Sequence, residues 1–293
     1  MNALNIVKYI FLSLRPKQWT KNLLIFTALV FSRNLTNSYY DTATILGFII
    51  FCIVSGSIYT LNDIIDKDKD ILHPKKSKRP IASGKLPVSY AILSFLLFSI
   101  LGAVSAFSLE TNFGWVVVIY IALQILYTFI LKNIVILDIF IIAIGFVLRV
   151  VAGGEIIAVP ISNWLLVCTL FLSLFLALGK RRFELIKMDK KATSHRAALK
   201  EYNVSLLNQM ITVVTSATVV AYAIYTLSPE TVKKFNTDKL IYTLPFVLYG
   251  VFRYLYLIYQ KETGGHPEEI LISDIPLIIN IMLYGLTVWY IIY

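Results

Sequence analysis

The sequence is poor in charged residues and in the residues that form metal or disulfide frameworks. Only 15% of its 293 residues are charged, and it contains two cysteines and three histidines. A soluble domain of this length carries roughly a quarter charged residues, distributed along the chain. Cys52 and Cys168 lie within apolar stretches without motif spacing, and the histidines show no metal-binding spacing. A soluble enzyme, a disulfide-stabilised secreted domain and a histidine-ligated metal site are therefore all disfavoured.

Long apolar stretches are present instead. Hydrophobic residues make up 58% of the chain, and the mean hydropathy is +0.74. Crossing the hydrocarbon core takes about 20 apolar residues. The pattern predicts about nine such spans, centred near residues 26, 51, 98, 122, 143, 171, 217, 250 and 283. We expect an all-α, polytopic membrane bundle that forms a single domain over residues 1–293. The first span has the shortest apolar core, and residues 4–14 before it are typical of a helix lying at the membrane interface.

The charges that are present lie in blocks and predict the orientation. The formal net charge is +10, which in a soluble protein would raise the question of nucleic acid. In a membrane protein, lysine and arginine mark the cytoplasmic loops. If the N-terminus is cytoplasmic, that side holds 21 of the 27 basic residues. We therefore expect an integral protein of the cytoplasmic membrane, with its C-terminus outside and no nucleic-acid partner.

The most informative motif is acidic and follows the second span. Residues 62–70 read NDIIDKDKD. On a continuing helix, Asp63, Asp66 and Asp70 are spaced i, i+3, i+7 and share one face, where their charges repel. Magnesium prefers oxygen ligands and commonly joins one or two carboxylates to substrate phosphates. The three aspartates are therefore predicted to be catalytic residues and Mg²⁺ ligands. The alternative, a solvated acidic run, is less favoured because the spacing selects one face.

The NDxxDxxxD pattern, together with about nine helices, resembles the UbiA superfamily of intramembrane transferases. The resemblance implies an all-helical bundle with a lateral opening to lipid. It also implies that Asn62, Asp63, Asp66 and Asp70 hold Mg²⁺ on a substrate diphosphate. Further blocks are similar to the branch of decaprenyl-phosphate phosphoribosyltransferases: RPKQWTKN at 15–22, HPKKSKRPIASG at 73–84, GFVLR at 145–149 and LGKRRFEL at 178–185.

The loop after the sixth span departs from the prenyl-transferring relatives. Those relatives usually carry a second aspartate-rich motif there, whereas this chain reads GKRRFELIKMDKK. A basic loop suits phosphoribosyl diphosphate, which carries a 5-phosphate in addition to its diphosphate, and arginine and lysine pair with phosphate directly. We expect Lys180 and Arg181 to bind phosphate. Simple positive-inside topology is the alternative, and it accounts for about half of the loop's basic residues.

Other polar residues at the predicted cytoplasmic face complete the candidate site. The expected substrate-binding residues are Asn62, Lys17, Lys21, Arg79, Tyr127, Lys132, Lys180, Arg181 and Glu184. Asp138 begins the fifth span on this face, and the loop at 264–269 is a possible cap. Arg149 lies inside the fifth span, so it should face the bundle interior or a wet cavity; the alternatives are a partner for Glu155 or a side chain extended to the far interface.

The predicted reaction is transfer of a 5-phosphoribosyl group from phosphoribosyl diphosphate to a polyprenyl phosphate such as decaprenyl phosphate, releasing diphosphate. The acceptor is already an anionic oxygen nucleophile, so a strong base is not required. One alternative is a prenyltransferase that moves an isoprenoid chain from a prenyl diphosphate to an aromatic or lipid acceptor. Another is a transporter or lipid carrier without chemistry, although no internal repeat is evident. The expected partners are the two substrates, the membrane and a possible second copy of the chain.

Overall fold

The computed structural model describes residues 3–32, 35, 37–187, 197–261, 265, 270, 271 and 273–293. These residues form helices and their connections, and no strand occurs among them. The α-helices are α1 (Ala3–Ser13), α2 (Phe26–Phe31), α3 (Ser38–Ile65), α4 (Lys67–Ile71), α5 (Val88–Leu109), α6 (Thr111–Phe129), α7 (Leu137–Ile156), α8 (Asn163–Lys187), α9 (Val204–Leu227), α10 (Pro229–Phe235), α11 (Leu244–Tyr259) and α12 (Ile275–Ile292). Short 3₁₀ helices lie at Pro16–Ile25, Lys76–Lys78, Leu131–Asn133, Ala197–Lys200 and Lys239–Thr243. The predicted all-α class is confirmed.

Eight helices in the described part of the chain are long and apolar enough to cross a membrane. They are α3, α5, α6, α7, α8, α9, the segment Lys239–Tyr259 and α12. The apolar surface of α5 is mostly exposed, because only 22% of its 18-residue apolar stretch is buried inside the protein. Leucine side chains exposed along a whole helix are stable in lipid and unfavourable in water. The protein is an integral membrane protein, as predicted.

The first predicted span, near residue 26, is not a single long α-helix. Residues 16–31 form a ten-residue 3₁₀ helix followed by the six residues of α2. At about 2.0 Å and 1.5 Å of rise per residue, this segment is about 29 Å long. It runs antiparallel to α3: Asn22 donates to Ser55, and the Phe26 ring packs against Phe48. The sequence therefore predicts a segment long enough to span the membrane, but this segment is a 3₁₀ helix followed by a short α-helix and not the predicted long α-helix.

Helix α1 forms where the interfacial helix was predicted. Ile6, Tyr9 and Ile10 pack against the small buried cluster of Ile81, Leu86 and Ala91. Its other face exposes Leu4, Val7 and Phe11. A helix that is apolar on its exposed face suits the membrane interface. That location stays a prediction.

The chain divides into two compact units, each with its own buried core. The first comprises residues 1–132 and 148–159, and the second comprises residues 133–147 and 160–293. Phe51, Phe113 and Val117 are fully buried in the core of the first unit. Phe175 and Leu207 are buried in the core of the second unit. The prediction of one domain over the whole chain stays a prediction.

Candidate active site

The acidic motif lies where α3 ends, and the helix breaks within it. Asp66, with φ −92° and ψ 8°, separates the last residue of α3 from the first residue of α4. The backbone N–H of Asp66 still donates to the Asn62 carbonyl, and that of Asp70 donates to the Asp66 carbonyl. The i→i−4 pattern thus continues across the break. The expectation of one continuous helix is wrong at Asp66, but the spacing of the aspartates remains close to helical.

Asp63 and Asp70 are held by arginines. Asp63 Oδ1 accepts from Arg79 Nη1 at 3.0 Å and also from Arg15 Nη2. The same Arg79 nitrogen donates to Asp70 Oδ2. Both aspartates are buried, with 2% and 3% exposed. Because an unpaired buried charge is strongly unfavourable, the two guanidiniums are required for this arrangement.

Asp66 takes a different partner. Lys132 Nζ donates to Asp66 Oδ1 at 2.7 Å, across 66 positions of sequence. Lys132 lies in the 3₁₀ turn after α6, and 8% of it is exposed. Asn62 Oδ1 accepts from the Thr128 hydroxyl at 2.7 Å, and the buried Tyr127 precedes Thr128 on α6. The structure therefore brings the predicted Lys132 to the acidic motif, and it adds Thr128 as a partner of Asn62.

Arg15 is a functional candidate that was absent from the predicted site residues. Its guanidinium lies over the Tyr59 ring, 5.1 Å from the centroid, and reaches Asp63. Its backbone has φ 51° and ψ 65°, a left-handed conformation that is uncommon for a non-glycine residue. Such strain persists where surrounding structure enforces it, often at functional sites. The sequence signal for Arg15 is its position at the head of the RPKQWTKN block. On the 3₁₀ helix that follows, Lys17 is exposed and Lys21 is half-buried.

The residues of this motif fit a hard divalent cation by their chemistry. All four predicted ligands offer oxygen, and Asp63 and Asp70 are close enough to share one nitrogen of Arg79. Magnesium commonly binds through one or two carboxylates together with substrate phosphates. Among the described residues, no group of three or more His, Cys, Asp or Glu side chains forms a complete metal site by itself. The oxygen donors of the motif are therefore of the kind that hold Mg²⁺ on a substrate phosphate.

A second polar cluster lies in the second unit. Arg181 is 2% exposed; its Nε donates to Asp138 Oδ2 at 2.9 Å, and its Nη1 donates to Glu184. The Tyr202 hydroxyl donates to Asp138 Oδ1 at 2.8 Å and accepts from the Ile136 backbone N–H at 2.7 Å. Burial, with the hydrogen bond to Asp138, raises the pKa of Tyr202. Two carboxylates thus neutralise the charge of Arg181, and Lys180 beside it is half-buried.

The neighbouring Arg182 contacts other helices of the same unit. Its Nε donates to Asn208 on α9 at 2.8 Å, and its Nη1 donates to the Ile258 carbonyl on α11 at 2.9 Å. Its guanidinium stacks on the Tyr259 ring at 4.1 Å. The rest of the basic loop, residues 188–196, and most of the loop at 264–269 lie outside the described residues.

Comparison with known proteins connects this site to a family. The sequence model of the UbiA prenyltransferase family matches residues 22–269. This chain belongs to the UbiA prenyltransferase family. The match includes the acidic motif, Arg79, Lys132 and the GKRRFEL block, while Arg15 and Lys17 precede it. The resemblance that the motifs indicated is confirmed.

Named relatives within the UbiA family are similar over nearly their whole length. A decaprenyl-phosphate phosphoribosyltransferase of Mycolicibacterium smegmatis is 34% identical, covering 92% of this chain and 88% of the relative. One from Corynebacterium glutamicum is 32% identical, covering 89% and 80%. A UbiA homolog from Archaeoglobus fulgidus, solved bound to GPP and Mg²⁺, superimposes with a TM-score of 0.74 at 21% identity, covering 97% and 99% of the two chains. This structural similarity shows that the two chains share the same fold.

Proposed function

We propose that this protein transfers a 5-phosphoribosyl group from phosphoribosyl diphosphate to a polyprenyl phosphate and releases diphosphate. The observation that carries the proposal is the cluster in which Arg15 and Arg79 converge on Asp63 beside Asp70. It places guanidinium groups, which bind phosphate in a bidentate way, next to carboxylates that bind a metal. The names of the relatives that align over most of this chain support the phosphoribosyl donor.

The chemistry is a substitution at the anomeric carbon of the ribose. A phosphate oxygen of the lipid forms the new bond to this carbon, and the bond from the carbon to the diphosphate oxygen breaks. The leaving diphosphate takes the electron pair. Because the attacking oxygen is already anionic, no side chain has to remove a proton from it. The protein must therefore align the two substrates and stabilise negative charge on the leaving group.

Four basic side chains of the first unit are suited to stabilising that charge. Arg15 and Arg79 bind the diphosphate, and Lys17 and Lys21 extend the positive surface along the 3₁₀ helix. Lys132, paired with Asp66, holds this carboxylate in place. When bound, Mg²⁺ supplies Lewis-acid neutralisation of the diphosphate, held by Asn62, Asp63, Asp66 and Asp70. Tyr127, which precedes Thr128 on α6, binds substrate, and the Thr128 hydroxyl orients Asn62.

The residues of the second unit and the topology complete the proposal. Lys180, Arg181 and Glu184 bind substrate, as the GKRRFEL block predicts, and Arg181 also orients Glu184 through their ion pair. The acidic motif and the basic loops face the cytoplasm in the cytoplasmic membrane, because 21 of the 27 lysines and arginines fall on that side. A homo-oligomer stays a prediction.

A comparison of two donors tests the proposal. Purified protein in detergent or liposomes receives Mg²⁺, a polyprenyl phosphate and labelled phosphoribosyl diphosphate, and a parallel sample receives a labelled prenyl diphosphate with an aromatic or lipid acceptor. We expect label from the ribose donor in the lipid fraction, and loss of transfer when a chelator removes the metal. Transfer only from the prenyl diphosphate would contradict the proposal and support the prenyltransferase alternative. Binding of lipid without transfer from either donor would support a carrier.

A further inference from the structure

Arg149 is an almost fully buried arginine that the proposed chemistry does not use. It lies on α7, about two turns before the last residue of the helix, Ile156, and 5% of it is exposed. Arginine inside a membrane span is unfavourable and usually has a functional role. Its guanidinium lies over the rings of Tyr120 and Phe51, at 5.0 Å and 5.5 Å. The guanidinium of Arg149 is therefore enclosed by aromatic side chains inside the first unit.

The polar contacts of Arg149 reach two other elements. Its Nε donates to Asn22 Oδ1 at 2.8 Å, and its Nη2 donates to the Tyr120 hydroxyl at 3.0 Å. The planar guanidinium makes both bonds at once, which a lysine ammonium at this place does not reproduce. Tyr120 belongs to α6, whereas Asn22 belongs to the 3₁₀ helix. Arg149 thus ties the 3₁₀ helix to α6 and α7.

Asn22 is the connection point on the 3₁₀ helix. It is fully buried, and its Nδ2 donates to Ser55 Oγ at 3.0 Å and to Cys52 Sγ at 3.2 Å on α3. A 3₁₀ helix of ten residues is longer than such helices usually are, because its hydrogen-bond geometry is poor. Its conformation therefore depends on tertiary contacts such as these.

Arg15 immediately precedes the same 3₁₀ helix, as its N-cap residue. We define the entry segment as residues 15–25. At its first residue the backbone is left-handed and the guanidinium reaches Asp63; in its second half, Asn22 is bound by Arg149. A shift of the segment would move both residues, since they belong to one short element. The placement of Arg15 at the acidic motif therefore depends on the contact at Asn22.

We propose that Arg149 is a positioning residue: through Asn22 it fixes the entry segment, so that Arg15 is held at Asp63 to bind the donor diphosphate. The identity of the donor rests on the proposed function, whereas the fixing of the segment does not. Arg149 acts through Asn22 and does not touch substrate. Its loss should weaken donor binding more than acceptor binding.

The test uses R149Q, with R253Q as a matched control. Arg253 also lies within a candidate span, and it pairs with Asp274 in the second unit. Hydrogen–deuterium exchange follows peptides covering residues 15–25, and steady-state kinetics measure the KM of each substrate. For R149Q we expect faster exchange in the entry segment and a donor KM raised about tenfold, with the acceptor KM within about twofold. For R253Q we expect neither change.

If R149Q does not fold, Y120F provides the test, because it leaves the aromatic ring in the core. It removes one acceptor of Arg149 and leaves the ring, so we expect the same changes with a donor KM raised about threefold. Unchanged exchange over residues 15–25 in both folded variants, or equal changes in the two KM values, would overturn the inference. If the wild type transfers nothing from phosphoribosyl diphosphate, the proposed function fails, and the exchange measurement still decides the role of Arg149.

Discussion

Asp63 and Asp70 accept hydrogen bonds from the same nitrogen atom of Arg79. Two carboxylates that share one donor lie close enough to repel each other, and a cation between them removes that repulsion. Asp66, between them in sequence, is directed to Lys132 instead. The acidic motif therefore consists of a close pair and a third carboxylate with a separate partner. This arrangement leads to different expectations for each residue.

Replacing Asp63 should abolish activity, whereas replacing Asp68 should not. Asp68 belongs to the same motif but is exposed on α4. For D63N we expect a loss of transfer of about a hundredfold or more, because one of the two close carboxylates for the metal is gone. For D68N we expect activity within about twofold of the wild type. Transfer assays over a range of Mg²⁺ concentrations measure the activity of both variants. Full activity of D63N would exclude Asp63 as a metal ligand.

The guanidinium of Arg79 should not be replaceable by an ammonium. R79K keeps the charge but loses the planar group that joins Asp63 and Asp70. We expect the KM for the donor to rise about tenfold, equivalent to about 1.4 kcal/mol. K85A, at an exposed lysine of the same loop, is the control and should leave the KM unchanged. An unchanged donor KM in R79K together with a raised donor KM in K85A would mean that only the overall charge of the loop matters.

Tyr202 should stabilise the second unit by linking Asp138 to the backbone of Ile136. Y202F leaves the Asp138 oxygen and the Ile136 N–H without this hydroxyl, and we expect a loss of about 1–2 kcal/mol, seen as a lower apparent unfolding temperature in detergent. Y290F, at a tyrosine that is 83% exposed, should change nothing.

The effect of Y202F has a defined pH dependence. Burial raises the pKa of Tyr202, so the folded protein retains the phenol proton where the unfolded chain loses it. The contribution is therefore fully present below about pH 10, the ordinary pKa of tyrosine, and decreases at higher pH. Unfolding temperatures measured at neutral and mildly alkaline pH should show the same difference between Y202F and the wild type. A difference that disappeared below pH 10 would contradict the sign of this shift.

Gly153 should tolerate no side chain, because the backbone of residue 25 occupies the space. A Cβ at position 153 would lie 2.0 Å from the Ile25 carbonyl oxygen, and a backbone atom has no rotamer with which to move away. We expect G153A to lower the apparent unfolding temperature strongly and to reduce transfer. G285A on α12 meets nothing within 4 Å and should be neutral or slightly stabilising. Normal stability of G153A would show that the entry segment adapts.

The site was predictable where the chemistry lies in consecutive residues. The carboxylates of residues 62–70 share a spacing that is visible without a structure, and they follow a span. Lys132 and Arg79 were expected at the same face, but not their individual partners. Arg15 was missed as a site residue although it heads the block that holds Lys17 and Lys21, because its contact with Asp63 spans 48 positions of the sequence.

The sequence by itself determined the membrane class, the helical fold and the acidic motif, because apolar length and residue spacing are properties of short stretches. Only the tertiary structure decided which polar side chains meet. The contact between Lys132 and Asp66 spans 66 positions, and that between Arg149 and Asn22 spans 127. The tertiary structure also made residues 16–25 a 3₁₀ helix rather than the start of a long α-helix. The physical reason is that intrinsic helix propensity is weak, and contacts with α3 and α7 outweigh it.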